Sequence, residues 1–148
     1  MESKSRAVAI CALAVIVSLY IVGLVTHGII RHVVQTAPVW IAVWLGFQRS
    51  PWTKWTALAP LALWFLLMVN IWMFLLGLPH LLSGTFTPIE VVLTITTGVG
   101  ALIGTVFAAR VRTAVPWMKA VGTLVLMAGL QFLALWISFQ RGVSRDPW

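Results

Sequence analysis

Carboxylates are almost missing from this chain: its 148 residues contain only Glu2, Glu90 and Asp146, against ten Lys and Arg. Charge of either sign is scarce, at 9% of residues, where globular domains carry roughly 25%. A water-soluble domain needs a polar surface, and a composition that is 61% hydrophobic does not supply one. Disorder is excluded as well, because disordered chains are poor in apolar residues. Cysteine is limited to Cys11 in an apolar stretch, which excludes an intramolecular disulfide and a multi-cysteine metal site. Also lacking are an H-E-x-x-H element, a phosphate-cradling glycine loop, and a serine or cysteine set beside histidine as a nucleophile. No acid falls in the middle of an apolar run, which disfavours a proton-coupled carrier working through a buried carboxylate.

What the chain has instead is apolar length. Runs over 7–25, 57–78, 91–109 and 117–139 each approach the roughly 20 residues that cross a bilayer core. A fifth run, 33–47, is shorter and interrupted by Gln35, Thr36 and Pro38. The first run follows Lys4 and Arg6 but exceeds the roughly 7–15 residues of a signal-peptide core, and no small-x-small cleavage site follows it. A retained membrane helix is therefore expected.

The basic residues decide the number of crossings, because Lys and Arg are retained on the cytoplasmic side. With four spans and the N-terminus inside, the count favours the wrong side. With 33–47 as a span, Lys4, Arg6, Arg49, Lys54, Arg110, Arg112 and Lys119 lie inside, and Arg31, Arg141 and Arg145 outside. The expectation is an all-α integral membrane helical bundle of five transmembrane helices, forming one domain over 1–148 with spans near 7–26, 31–48, 56–78, 88–109 and 116–139. Four spans plus one re-entrant or interfacial helix is the alternative, since a helix capped by Thr36 with Pro38 in its first turn is too short to cross. The net charge of +7 belongs with anionic lipid headgroups rather than nucleic acid, for no basic run interleaves with aromatics. The expected location is a bacterial cell membrane, with the N-terminus cytoplasmic.

Helix boundaries carry local signals. Ser50-Pro51 reads as cap and first residue of the third helix, and Gly77 with Pro79 closes it. Thr87-Pro88-Ile89-Glu90 combines a cap, a first-turn proline and a capping-box glutamate. Pro116 opens the fifth helix.

Nine tryptophans are present. Trp52, Trp55, Trp117 and Trp148 suit an aromatic belt at the headgroup level. Trp40 and Trp44, one helical turn apart, lie deeper, as do Trp64 and Trp72; these either pack or line a pocket for a flat apolar ligand. Thr96, Gly100, Gly104 and Ala108 form a small-xxx-small stripe for close helix packing, within the bundle or between copies. Asn70, Thr94, Thr97 and Gln131 are expected to hydrogen-bond between helices.

In the five-span arrangement His27, Arg31, His32 and Gln35 fall at the outer turn between the first two helices. His80 and Glu90 fall at the outer ends of the third and fourth. Imidazole and carboxylate ligate zinc, copper or iron, which makes His27, His32, His80 and Glu90 candidate metal ligands. Histidines from two helices also suit haem, and Arg31 beside them suits a quinone oxygen or a lipid phosphate. Plainer readings compete: Glu90 serves Thr87 as a capping partner, and the histidines are interfacial residues. His27 and His32 are five apart, which does not put them on one helical face.

Two local resemblances exist. Pro38-Val39-Trp40 and Asn70-Ile71-Trp72 are similar to patterns of the tryptophan-rich sensory protein (translocator protein) family, whose Trp-x-Pro-Pro-x-Trp segment is missing here. Pro88-Ile89-Glu90 resembles the Pro-x-Glu-Glu element of small membrane carotenoid cyclases, with Val91 in place of the second acid. Neither carries a functional residue over. The leading functional expectation is a small binding or accessory subunit of a membrane complex, joined to a larger membrane protein or to copies of itself through the Gly100/Gly104 face. Alternatives are a binding protein for an apolar ligand (quinone, isoprenoid or porphyrin) and a metal-dependent intramembrane enzyme built on the outer His/Arg/Glu cluster.

Overall fold

The structure, a computed structural model, describes residues 2–81 and 84–140. Arg141, Arg145, Asp146 and Trp148, used in the charge and tryptophan readings, lie outside the described residues. Five helices follow in order: α1 (Glu2–Val25), α2 (Ile29–Phe47), α3 (Thr53–Leu75), α4 (Pro88–Arg110) and α5 (Trp117–Ser138). Each is long and apolar enough to cross a membrane, and the described residues contain no strand. The protein is an all-α, multi-pass helical bundle.

The interrupted run 33–47 belongs to a full helix, as the five-span arrangement expects, and not to the alternative short helix capped by Thr36. α2 begins at Ile29, so Thr36 is interior, and its hydroxyl donates back to the carbonyls of His32 at 2.9 Å and Val33 at 3.2 Å. Nineteen residues at 1.5 Å each span about 28 Å, close to the thickness of a hydrocarbon core. Pro38 stays inside this helix although it removes one N–H from the ladder. One correction concerns α3, which starts at Thr53 rather than Pro51. Ser50 still acts locally, its hydroxyl accepting from the Trp52 N–H at 3.3 Å. The capping box of α4 is present as expected, with the Thr87 N–H donating to Glu90 Oε2 at 2.6 Å and the Glu90 N–H donating to Thr87 Oγ1 at 3.3 Å.

Helices consecutive in the chain run antiparallel, whereas α3 and α5 pack side by side in parallel, and glycines mark several of the contacts. A Cβ on Gly23 would lie 2.9 Å from both His32 Cδ2 and Ile29 Cα, and one on Gly46 would lie 2.8 Å from the Cβ of Ala9. The α1–α2 hairpin is thus drawn together at both of its ends. Gly104 faces Cys11 and Leu61, and Gly100 faces Val15. The stripe on α4 therefore packs inside the bundle, with Gly104 and Ala108 buried, Gly100 half-buried and only Thr96 exposed. Within the bundle, Gly100 and Gly104 pack against α1, and Gly104 also against Leu61 of α3. Gly98, outside that stripe, abuts the six-membered ring of Trp72.

Around the bundle axis the helices are ordered α1, α2, α5, α3, α4, with α4 closing back on α1. α5, last in sequence, sits between α2 and α3; among the described residues it touches neither α1 nor α4. At the end holding the N-terminus the ring is drawn shut by small side chains, including Ala9, Ala12, Ala42, Ala57 and Ala108, all fully buried. There Thr113, after α4, also ties to the chain before α3 by donating to the Pro51 carbonyl at 2.9 Å. At the other end the inward residues are larger and polar, and the ring stays open.

Candidate functional site

The open end encloses a cavity of about 420 Å³, to which every helix contributes. Its walls are apolar: Leu19 and Val22 from α1, Leu67, Met68 and Ile71 from α3, and Leu135 from α5. Arg31, His32 and Gln35 enter from α2, and Glu90, Thr94 and Thr97 from α4. Trp64 of α3 borders it more deeply, while Phe86 and Phe139 stand at its mouth.

The α2 residues reach the cavity because Ile29 starts the helix early enough to turn Arg31, His32 and Gln35 inward. The His32 ring lies against Gly23, whose missing side chain makes the space for it. Arg31 is held by its guanidinium over the ring of Phe139, 4.9 Å from the centroid. Gln35 donates through Nε2 to the Ser138 hydroxyl at 2.9 Å, which in turn donates to the Leu135 carbonyl at 2.6 Å. Thr94 is also engaged, donating to the Val91 carbonyl at 2.7 Å and accepting from Trp72 Nε1 at 3.2 Å.

Four polar atoms of this lining are buried with no hydrogen-bond partner: Arg31 Nε, His32 Nδ1, Trp64 Nε1 and Thr97 Oγ1. Three belong to side chains that are almost wholly enclosed, His32 being 8%, Trp64 3% and Thr97 1% exposed. Buried polar atoms are paired in the great majority of cases, so a cluster of exceptions around one cavity needs a cause. Thr97 corrects the expectation that it bonds between helices. Thr94, Thr96, Thr105 and Thr123 all return their hydroxyls to their own helix, as threonine in a helix commonly does, and Thr97 does not. Among the tryptophans, Trp40 donates to Tyr20 Oη and Trp72 to Thr94, whereas the Trp64 indole has nothing to meet.

Of the residues marked from sequence, Arg31, His32, Gln35 and Glu90 come together here. The others do not join them. His27 is exposed at the α1–α2 turn, with a left-handed φ of 57° that ends α1, and lies outside the lining. His80 is exposed, packed edge-on against Phe74 with centroids 4.8 Å apart, and its Nδ1 sits 2.7 Å from the Leu78 carbonyl. Asn70 accepts from the Leu81 N–H at 3.1 Å. Trp40 and Trp44 are 43% and 61% exposed on the outer face of α2, and so line no internal pocket. Among the described residues no three of His, Cys, Asp and Glu are grouped to hold a metal ion, so His27, His32, His80 and Glu90 do not form the set expected of them. Gly98, Phe86 and Phe139 were not marked. Phe86 and Phe139 sit just outside helices, where periodicity carries no signal, while the cue for Gly98 was a large aromatic, Trp72, needing room on a facing helix.

Compared with protein-family models, curated proteins and solved structures, the chain matches none.

Proposed function

We propose that the protein binds an amphipathic ligand taken from the bilayer, with an apolar body and oxygen acceptors on its polar part, in the cavity framed by all five helices. The supporting observation is a largely apolar cavity whose lining includes Arg31, His32, Trp64 and Thr97, each carrying a buried polar atom with no hydrogen-bond partner. Arg31 Nε and Trp64 Nε1 are obligate donors, and Thr97 Oγ1 and His32 Nδ1 donate in the appropriate rotamer or tautomer. Their complement is oxygen, and apolar walls with a few convergent polar groups are the usual make-up of a small-molecule site. Quinones, oxygenated isoprenoids and porphyrins share that description. The proposal includes a bacterial cell membrane with the N-terminus in the cytoplasm, supported by Lys4, Arg6, Arg49, Lys54, Arg110, Arg112 and Lys119 at the closed end of the bundle.

The test is purification of the full chain in mild detergent, followed by organic extraction and mass spectrometry. A small amphiphile is expected at a constant ratio to protein, and Thr97→Leu, which fills the chamber floor, is expected to lose it. Extracts with detergent and bulk phospholipid alone overturn the proposal. The same preparation tests the accessory-subunit reading, which requires a protein companion at constant stoichiometry.

A further inference from the structure

Arg31 and Glu90 bring one cation and one carboxylate to the cavity lining. Each stands two residues into its helix, Arg31 from Ile29 and Glu90 from Pro88, or about 3 Å from the open end. Both charges are therefore at one level, that of the lipid headgroups. They stand on different walls: α2 and α4 are not neighbours in the ring and, among the described residues, do not touch.

Opposite charges in an apolar setting attract strongly, yet no ion pair joins these two. Each is held on its own wall. The Arg31 guanidinium lies over the Phe139 ring, 4.9 Å from its centroid. Glu90 Oε2 accepts from the Thr87 N–H at 2.6 Å as part of the α4 cap. The terminal nitrogens of Arg31 and Glu90 Oε1 make no hydrogen bond, and unlike Arg31 Nε they are not sealed from solvent.

This pairing of signs decides which head the mouth accepts. An anionic head gains at Arg31 and loses at Glu90, and a cationic head does the reverse. A head carrying both signs gains at both walls. From this we infer that the ligand is a one-chain zwitterionic amphiphile with a phosphoethanolamine head, its phosphate on Arg31 and its ammonium on Glu90. The inference rests on the cavity being a ligand site and names the class that enters it. A phosphate matches the guanidinium, and a primary ammonium gives Glu90 Oε1 a hydrogen bond as well as a charge. The acyl chain lies among Leu19, Val22, Leu67, Met68 and Ile71. At about 420 Å³ the chamber is near the lower end of ligand sites, which run from roughly 300 to 1,000 Å³, and suits one chain rather than two.

The test uses the delipidated full chain in detergent, read by native mass spectrometry and thermal shift. The probes are oleoyl lysophosphatidylethanolamine, oleoyl lysophosphatidylglycerol, oleylamine, monoolein and dioleoylphosphatidylethanolamine. The first is expected to bind at least about tenfold more tightly than each of the others, the increment of one good ion contact. Glu90→Gln keeps a side chain that serves a capping box, and is expected to bring the phosphoglycerol head level with the phosphoethanolamine head. Arg31→Gln is expected to do the same for oleylamine, whereas Arg31→Lys keeps the original order. Opposite shifts of this kind do not arise from a change that merely loosens the fold. Equal binding of the phosphoethanolamine and phosphoglycerol heads by the unaltered protein overturns the inference, as does a preference that survives both Gln variants. Equal or tighter binding of oleylamine, monoolein or the two-chain lipid overturns it as well. In each case an amphiphile that still co-purifies leaves the cavity as the site of a different ligand. If no probe binds and nothing co-purifies, the cavity reading falls too.

Discussion

Gln131 donates through Nε2 to the main-chain carbonyl of Gln35 across 2.8 Å, in the turn of α2 that precedes Pro38. Its other polar atom, Oε1, is buried without a partner, and the side chain is fully enclosed. Interhelical hydrogen bonds of this kind contribute only about 0.6 kcal/mol within a membrane, whereas an unmet buried acceptor costs about 1–3 kcal/mol. Gln131→Leu is therefore expected to hold or raise the melting temperature in detergent. Gln131→Ala, which leaves a void, is expected to lower stability by about 2 kcal/mol or more. A Leu variant less stable than the Ala variant would contradict this account.

A side chain on Gly98 would begin against the Trp72 ring, closer to a neighbour than at any other described glycine, and Met68 Cβ stands 3.1 Å from that point. Trp72 has little freedom to retreat because its indole is tied to Thr94. Gly98→Ala is expected to destabilise by about 1–3 kcal/mol through overpacking. Placing it on a Trp72→Phe background should recover part of that loss. Gly122→Ala and Gly129→Ala, where nothing lies within 4 Å, are expected to be neutral in the same melting assay.

His27 ends α1 in the left-handed region at φ 57°, where glycine carries no steric penalty. His27→Gly is expected to stabilise by a few tenths of a kcal/mol up to about 1 kcal/mol, and His27→Val to destabilise by about 1 kcal/mol. Because the residue stands outside the cavity, neither change should alter how much ligand co-purifies. Loss of ligand in His27→Gly would return His27 to the site.

Crossing number is open to direct measurement. Reporter fusions after Lys54 and after Trp148 should report opposite sides, with Lys54 in the cytoplasm. A same-side result contradicts five crossings, and an inverted result contradicts the orientation drawn from the basic residues.

How much of this was legible beforehand depended on how local the cause was. Thr87 and Glu90 satisfy each other within one turn, so their box reads directly from four letters. Arg31, His32, Gln35 and Glu90 were brought to one end by counting charges between apolar runs, a count that needs topology but no packing. Thr36 and Pro38 left a short re-entrant helix open as an alternative because each favours a helix start in isolation. What overrides them is the continuous α2 ladder, braced by the Thr36 back-bond and by Gln131 from the far side of the bundle. Trp64 and Thr97 matter for what they fail to touch. A missing partner is a property of every neighbouring side chain at once, and no spacing along one helix encodes it. The small-residue stripe was recognised by its period of four, which steps over Gly98, although Gly98 faces the bulkier neighbour.

The ring order has a consequence for how the chamber comes into being. A chain synthesised as far as Arg110 has four of the five walls, with α2 and α3 already side by side and their polar inner faces turned toward lipid where α5 belongs. Gln35 then lacks Ser138, and its carbonyl lacks Gln131. Only when α5 packs against both α2 and α3 are these groups met and the chamber closed along that side. The enclosure is therefore completed by α5, and a chain cut short before Trp117 keeps four membrane-length helices while losing the wall that Leu135 and Phe139 supply.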